Sequence, residues 1–192
     1  MILSKPIMKF MEVYFGQLYS NPIRTNAISG ALIAAAGNYA SQFLAGKKII
    51  DNHTILSYGV FGLIFGGTIP HFFYGGLDSI IPEEAGLAVV KRLLLERIIY
   101  TPLFQAFYLY TLARIEGKDH KTALRQLESL YWTVLTSSWK YITLIELLNQ
   151  LVVPPMIRIF ILNLIAFFWT IYISNKRRQE EIRANKKTKK SL

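Results

Sequence analysis

The residues with the chemistry to do something unusual in this chain are polar side chains stranded in apolar sequence. Asn38, Gln42, His71, Gln105 and Asn163 each sit inside a long uncharged run, and Glu96 and Arg97 stand together at the edge of another. In hydrocarbon such groups are costly unless they find a partner or face water. Asn38, Gln42, His71 and Gln105, with Glu96 and Arg97 at a mouth, are therefore the candidate lining of a pore, and interhelical hydrogen bonding is the competing reading at each position. Arg92 and Glu96, four residues apart, are placed to pair along one helix face. Catalytic chemistry has no comparable support. The three histidines, His53, His71 and His120, fall in three different regions, and no Ser-His-Asp order or phosphate-cradling glycine loop is present. Without Cys there is no thiol nucleophile, zinc knuckle, iron-sulfur cluster or disulfide. The expectation is a protein that is not an enzyme and carries no metal or cofactor.

The elements that must hold these residues are membrane helices. The chain of 192 residues is 52% hydrophobic and only 18% charged, against about 25% charged in a soluble domain. Four stretches approach the ~20 helical residues that a bilayer core requires: 27–46, 54–77, 98–113 extended back through Glu96 and Arg97, and 159–175. Residues 54–77 have no polar stripe at helical spacing, which places them in lipid rather than on a soluble bundle. The predicted fold is all-α, an integral membrane protein of four transmembrane helices plus amphipathic interfacial helices. Residues 1–26 read as an uncleaved amphipathic lead-in helix, with Met8, Phe10, Met11, Tyr14, Phe15 and Leu18 on its apolar side. Residues 114–157 read as an interfacial region carrying Trp132 and Trp139, because a fifth crossing would put Lys140 or Glu146 deep in lipid. Residues 1–175 form one membrane-embedded domain and 176–192 a basic, disordered cytosolic tail.

Small residues at Ala27, Ala31 and Ala35 in the first span, and at Gly59, Gly62 and Gly66 in the second with Gly67 beside them, predict close helix packing where lipid removes the hydrophobic drive for association. The net charge of +10 is concentrated at the C-terminus, where eight Lys and Arg follow the last span. Lys176, Arg177 and Arg178 fit attraction to anionic lipid headgroups and a targeting address. Nucleic acid is not an expected partner, since no groove-reading element accompanies the charge. With four spans, the N-terminus, the 78–97 loop and the tail share one side and carry fourteen Lys and Arg against eight on the other. That asymmetry puts both termini in the cytosol. The ending Lys189-Lys190-Ser191-Leu192 matches a dilysine retrieval pattern.

The order of segments resembles the family of small four-span proteins of peroxisomal and inner mitochondrial membranes. The resemblance covers residues 15–175 and rests on 19–30 (YSNPIRTNAISG), Gly37-Asn38 with Ser41-Gln42, Tyr58-Gly59 and Gly62, His71-Phe72-Phe73-Tyr74, 91–97 (KRLLLER), Glu116-Gly117-Lys118, Trp139-Lys140, Asn163 and Phe168-Trp169. The chain departs from the family pattern at Ser138, Ile142, Leu144 and Glu146, and in the placement of Pro70. What the resemblance implies is a channel passing small water-soluble metabolites, homo-oligomeric, multi-pass in the peroxisomal membrane and delivered by a peroxisomal import receptor. A mitochondrial inner-membrane solute channel of the same family and a non-conducting membrane scaffold or adaptor are the alternatives.

Overall fold

The computed structural model describes residues 5–82, 84–153 and 155–190, and every regular element among them is a helix. Helix α1 (Lys5–Ser20) leads into α2 (Pro22–Leu44), where a proline in the first turn presets φ and has no N–H to satisfy. Helix α3 (Asn52–Phe61) starts at Asp51, whose carboxylate accepts from the Thr54 N–H and hydroxyl. It continues through a π-helical segment, Gly62–Gly66, into α4 (Thr68–Ile80). The next rod joins α5 (Ala88–Leu95), a π segment Glu96–Tyr100, and α6 (Thr101–Ile115), which stops where Gly117 takes a left-handed φ of 81°. A further rod joins α7 (His120–Ser137), a π segment Ser138–Ile142, and α8 (Thr143–Val152). The last is α9 (Pro155–Lys190).

Polarity is distributed inside out. Ile28 and Leu32 on α2, Leu103 on α6, Leu144 and Leu148 on α8, and Phe168 on α9 are exposed, whereas Asn38, Gln42, Glu96, Arg97, Gln126 and Arg177 are buried. Water-soluble proteins place their charges the other way round. Taken through its π segment, Asn52–Ile80 is, among the described residues, the one helix long and apolar enough to cross a membrane. Only 28% of its most apolar stretch is buried, so the rest of that surface faces outward.

Contacts fix the direction of each rod. Tyr14 reaches both Ser29 and Asn163, Gly37 lies against Thr170, Asn38 bonds Ser174, and the Ser41 carbonyl accepts from Arg178. Residue numbers on α2 and α9 rise together, so the two helices are parallel. Helices α6 and α7 are antiparallel: Leu109 packs with Leu130 and Val134, Tyr131 reaches the Pro102 carbonyl, and Trp139 Nε1 donates to the Arg97 carbonyl at 2.9 Å. Among the described residues the chain thus traverses the bundle five times.

This corrects the expectation of an interfacial 114–157 region, because α7 and α8 run the length of the bundle beside α6. The charges that argued against a fifth rod are accommodated. Glu146 pairs with Arg97, and Lys140 stays exposed above the Tyr141 ring. The end of α9 and the start of α2 consequently lie at opposite ends, not at one. Nor are residues 176–190 a disordered tail: α9 carries on through them, held where Arg177 and Arg178 find partners in the bundle. Ser191 and Leu192 of the retrieval pattern lie outside the described residues.

The tightest helix contact is between α2 and the first π segment. A Cβ on Gly62 would collide with the backbone of Gly30 and come within 2.9 Å of Ala31 Cα, and one on Gly67 would strike the backbone of Asn26 and Ala27. Gly59 and Gly66 have ordinary clearance. Of these glycines, Gly62 and Gly67 sit where α2 leaves no room for a side chain.

Candidate functional site

Two buried ionic clusters occupy opposite ends of the bundle. The first begins with Asn38 and Gln42, one turn apart on α2. Gln42 Nε2 donates to Asn38 Oδ1 at 2.8 Å and to the Asp51 carbonyl at 3.1 Å, while its Oε1 accepts the Asp51 N–H at 2.8 Å. Asn38 Nδ2 in turn donates to Ser174 Oγ on α9 at 2.9 Å. These amides join α2, α9 and the start of α3, and their opposite side is a cavity.

Facing them, Arg177 donates two parallel bonds of 2.7 Å to Glu116, another of 3.3 Å to the Tyr58 hydroxyl and one of 3.1 Å to Gln126 Oε1. Its guanidinium also lies 5.7 Å from the Tyr58 ring centre. Lys118 pairs with Glu116 at 3.0 Å and with Glu181. Burial pushes the Glu116 carboxyl up, but the Arg177 and Lys118 charges outweigh it and hold the group below its ordinary range. Asp51 is also held low, chiefly by its hydrogen bond from the Thr54 hydroxyl. The cavity enclosed here measures about 230 Å³ and is rimmed by exposed Lys47 and His53.

At the other end Arg97 stands between two carboxylates, 3.4 Å from Glu96 and paired with Glu146 across the bundle. Two π segments meet here, since Trp139 of one bonds the Arg97 carbonyl of the other. The expected Arg92–Glu96 pair is not made. The π segment begins at Glu96 and turns its carboxylate toward Arg97, while Arg92 pairs with Asp78 at 2.8 Å and donates twice to the Ile81 carbonyl.

The six candidate lining residues therefore do not converge. Asn38 and Gln42 line the cavity, and Glu96 and Arg97 form the far cluster. His71 is half-buried on α4 with its ring against Phe72, and Gln105 is buried on α6 with its Nε2 unbonded. Of the three basic residues assigned to headgroups, Arg177 is 3% exposed and points into the bundle. Lys176 lies 5.7 Å from the Tyr172 ring centre. Sequence reasoning missed Glu116 and Gln126 as site residues. Glu116-Gly117-Lys118 reads correctly as a helix stop, but nothing local to it indicates a buried arginine 61 positions away.

Comparison with known proteins gives a consistent group. The Mpv17 / PMP22 family matches residues 113–174. The chain is 30% identical over 172 residues to peroxisomal membrane protein 2 of Bos taurus, covering 86% of this chain and 88% of the bovine protein. It is 28% identical to peroxisomal membrane protein PMP22 of Arabidopsis thaliana, covering 91% of this chain and 93% of the plant protein. It is 22% identical to mitochondrial inner membrane protein Mpv17 of Caenorhabditis briggsae, over 88% of this chain and 93% of the worm protein. No solved structure matches.

Proposed function

The chain belongs to the Mpv17 / PMP22 family of membrane proteins, and from that premise we propose that it is a channel passing small water-soluble metabolites across an organelle membrane. The observation that carries this reading is a polar cavity sunk into one end of a bundle whose exterior is apolar. A bundle that only needed to sit in lipid has no use for open space lined by charged and amide side chains.

Below the cavity the interior is filled. Tyr58 meets Tyr108 edge to face, Tyr108 meets Phe61 with 4.8 Å between ring centres, and Phe61 meets Phe104 and Phe107. This aromatic layer separates the cavity from Arg97, so the arrangement is a closed one. Conduction requires the rods to part or a lumen to be shared between copies of the chain. The same layer is what favours the second reading, a non-conducting scaffold.

Solute flux separates the two. Purified protein reconstituted in liposomes should release neutral solutes up to a size limit, and liposomes that stay sealed to glycerol would put the scaffold reading ahead. Because the chain has no Cys, labelling adds a local check. Thr54→Cys on the cavity wall should react with a water-soluble thiol reagent, while Gln105→Cys, at the level of the aromatic layer on α6, should react only while solute flows.

The peroxisomal membrane is the proposed location, supported by the bovine and plant relatives, with the mitochondrial inner membrane as the alternative. In the five-rod arrangement, fourteen Lys and Arg cluster at the Arg177 end: two in the 45–51 loop, four from Arg114 to Arg125, and eight from Lys176 onward. Eight lie toward the Arg97 end, which supports a cytosolic Arg177 end. Protease treatment of intact organelles should then remove a tag placed after Leu192.

A further inference from the structure

We propose that the cavity beside Arg177 binds a small anion bearing carboxylate or phosphate oxygens; this rests on its being the entrance for solute. Four cations line the space, Lys47, Lys118, Arg177 and Arg178, together with three carboxylates, Asp51, Glu116 and Glu181. All three carboxylates are already engaged. Glu116 takes both arms of Arg177 and also Lys118, and Glu181 takes Lys118 and Gln126. Asp51 caps α3 through Thr54. The lining thus has one positive charge in excess; among the described residues neither Lys47 nor Arg178 is within ion-pair distance of a carboxylate, and Lys47 acts on Asp51 only through space.

Arg178 uses its guanidinium on neutral acceptors, the Ser41 carbonyl at 3.1 Å and Asn175 Oδ1 at 2.6 Å. Those bonds fix the fork without cancelling its charge, and a guanidinium with five donors has others to offer. A planar, pre-oriented arginine is suited to two-oxygen anions. Lys47 stands exposed on the rim as a second charge. The space of about 230 Å³ equals roughly seven or eight waters at ~30 Å³ each, enough for a four-carbon dicarboxylate or a phosphate with its hydration. One positive charge in excess, with Arg178 facing no carboxylate among the described residues, favours an anion over a neutral solute of the same size.

The test uses the full chain in nanodiscs of phosphatidylcholine, so that no anionic lipid competes. Thermal unfolding is followed with succinate, inorganic phosphate, neutral succinamide, and chloride at matched ionic strength. Succinate or phosphate should raise the midpoint saturably, while succinamide and chloride should not. In Lys47→Gln/Arg178→Gln the apparent affinity should fall about tenfold or more. Lys47→Gln alone, on an exposed loop, retains the fold and should show part of that loss. A response to phosphate only assigns phosphate, and one to succinate only assigns dicarboxylates. No shift, a shift matched by chloride, or one that survives in the double variant overturns the proposal. Glycerol flux through liposomes reports separately on the channel. Glycerol flux without anion binding removes this inference and leaves the channel, and anion binding without flux does the reverse.

Discussion

Arg177 and Arg97 are both buried arginines facing carboxylates, yet their surroundings differ in kind. Arg177 shares Glu116 with Lys118, so that two cations meet Glu116 and Glu181, and the cluster borders a cavity. Arg97 serves both Glu96 and Glu146 alone and is clamped between two π segments. Buried polar atoms without a hydrogen-bond partner follow the same division. Arg97 Nε, Tyr100 OH, Gln105 Nε2, Thr143 Oγ1 and Asn149 Oδ1 lie toward the Arg97 end, against Arg177 Nε and Ser41 Oγ at the other. A buried charge persists only when paired. One end of the bundle meets that condition with surplus donors and space for a solute, the other with a single cation that has no substitute.

Removing each arginine should therefore give unequal losses. Arg97→Met leaves the buried Glu96 and half-buried Glu146 carboxylates with no cation among the described residues, and the expected cost is at the upper part of about 3–5 kcal/mol, read as a lowered thermal midpoint in detergent. Adding Glu146→Gln to that variant should restore a large fraction, and failure to do so would mean that Arg97 acts through packing rather than charge. Arg177→Met should cost less, near the lower part of about 3–5 kcal/mol, because Lys118 still faces Glu116. If the two losses came out equal, the asymmetry between the ends would have no energetic content.

Gly62→Ala probes the packing between them and should cost about 1–3 kcal/mol, since the new Cβ meets backbone that cannot rotate away. Gly59→Ala, whose Cβ would lie 3.6 Å from Ala35 Cβ, should change stability by less than about 1 kcal/mol. The smallest effect is pH. Glu116 is held below its ordinary range when folded, so its contribution is fully present above the unfolded carboxyl value of about 4.3 and is lost as pH falls through the folded value. Glu116→Gln should flatten the acid limb of a midpoint-against-pH curve relative to wild type. An unchanged limb would place the acid-sensitive group at another carboxylate.

Particular residues show how far the sequence could be read. The helical class and the membrane setting followed from local pattern, because an apolar run without a polar stripe has few other uses; which helix the small residues would meet did not. The helix stop at Gly117 was equally local. The number of rods was not. Glu146 looked too costly to bury, and its cost depends on Arg97, 49 positions earlier.

The basic segment after residue 175 shows the same limit from the other side. Composition made Lys176, Arg177 and Arg178 a tail for the lipid surface, and composition did determine that the excess charge lies there. Only the tertiary structure decided that Arg177 turns inward to Glu116 while Arg178 remains without a carboxylate. A charge along the chain is fixed by residue type. Whether it is solvated, paired or left to attract a ligand depends on which distant side chains the packing of rods brings within a few ångströms, and that information is spread over positions no local pattern connects.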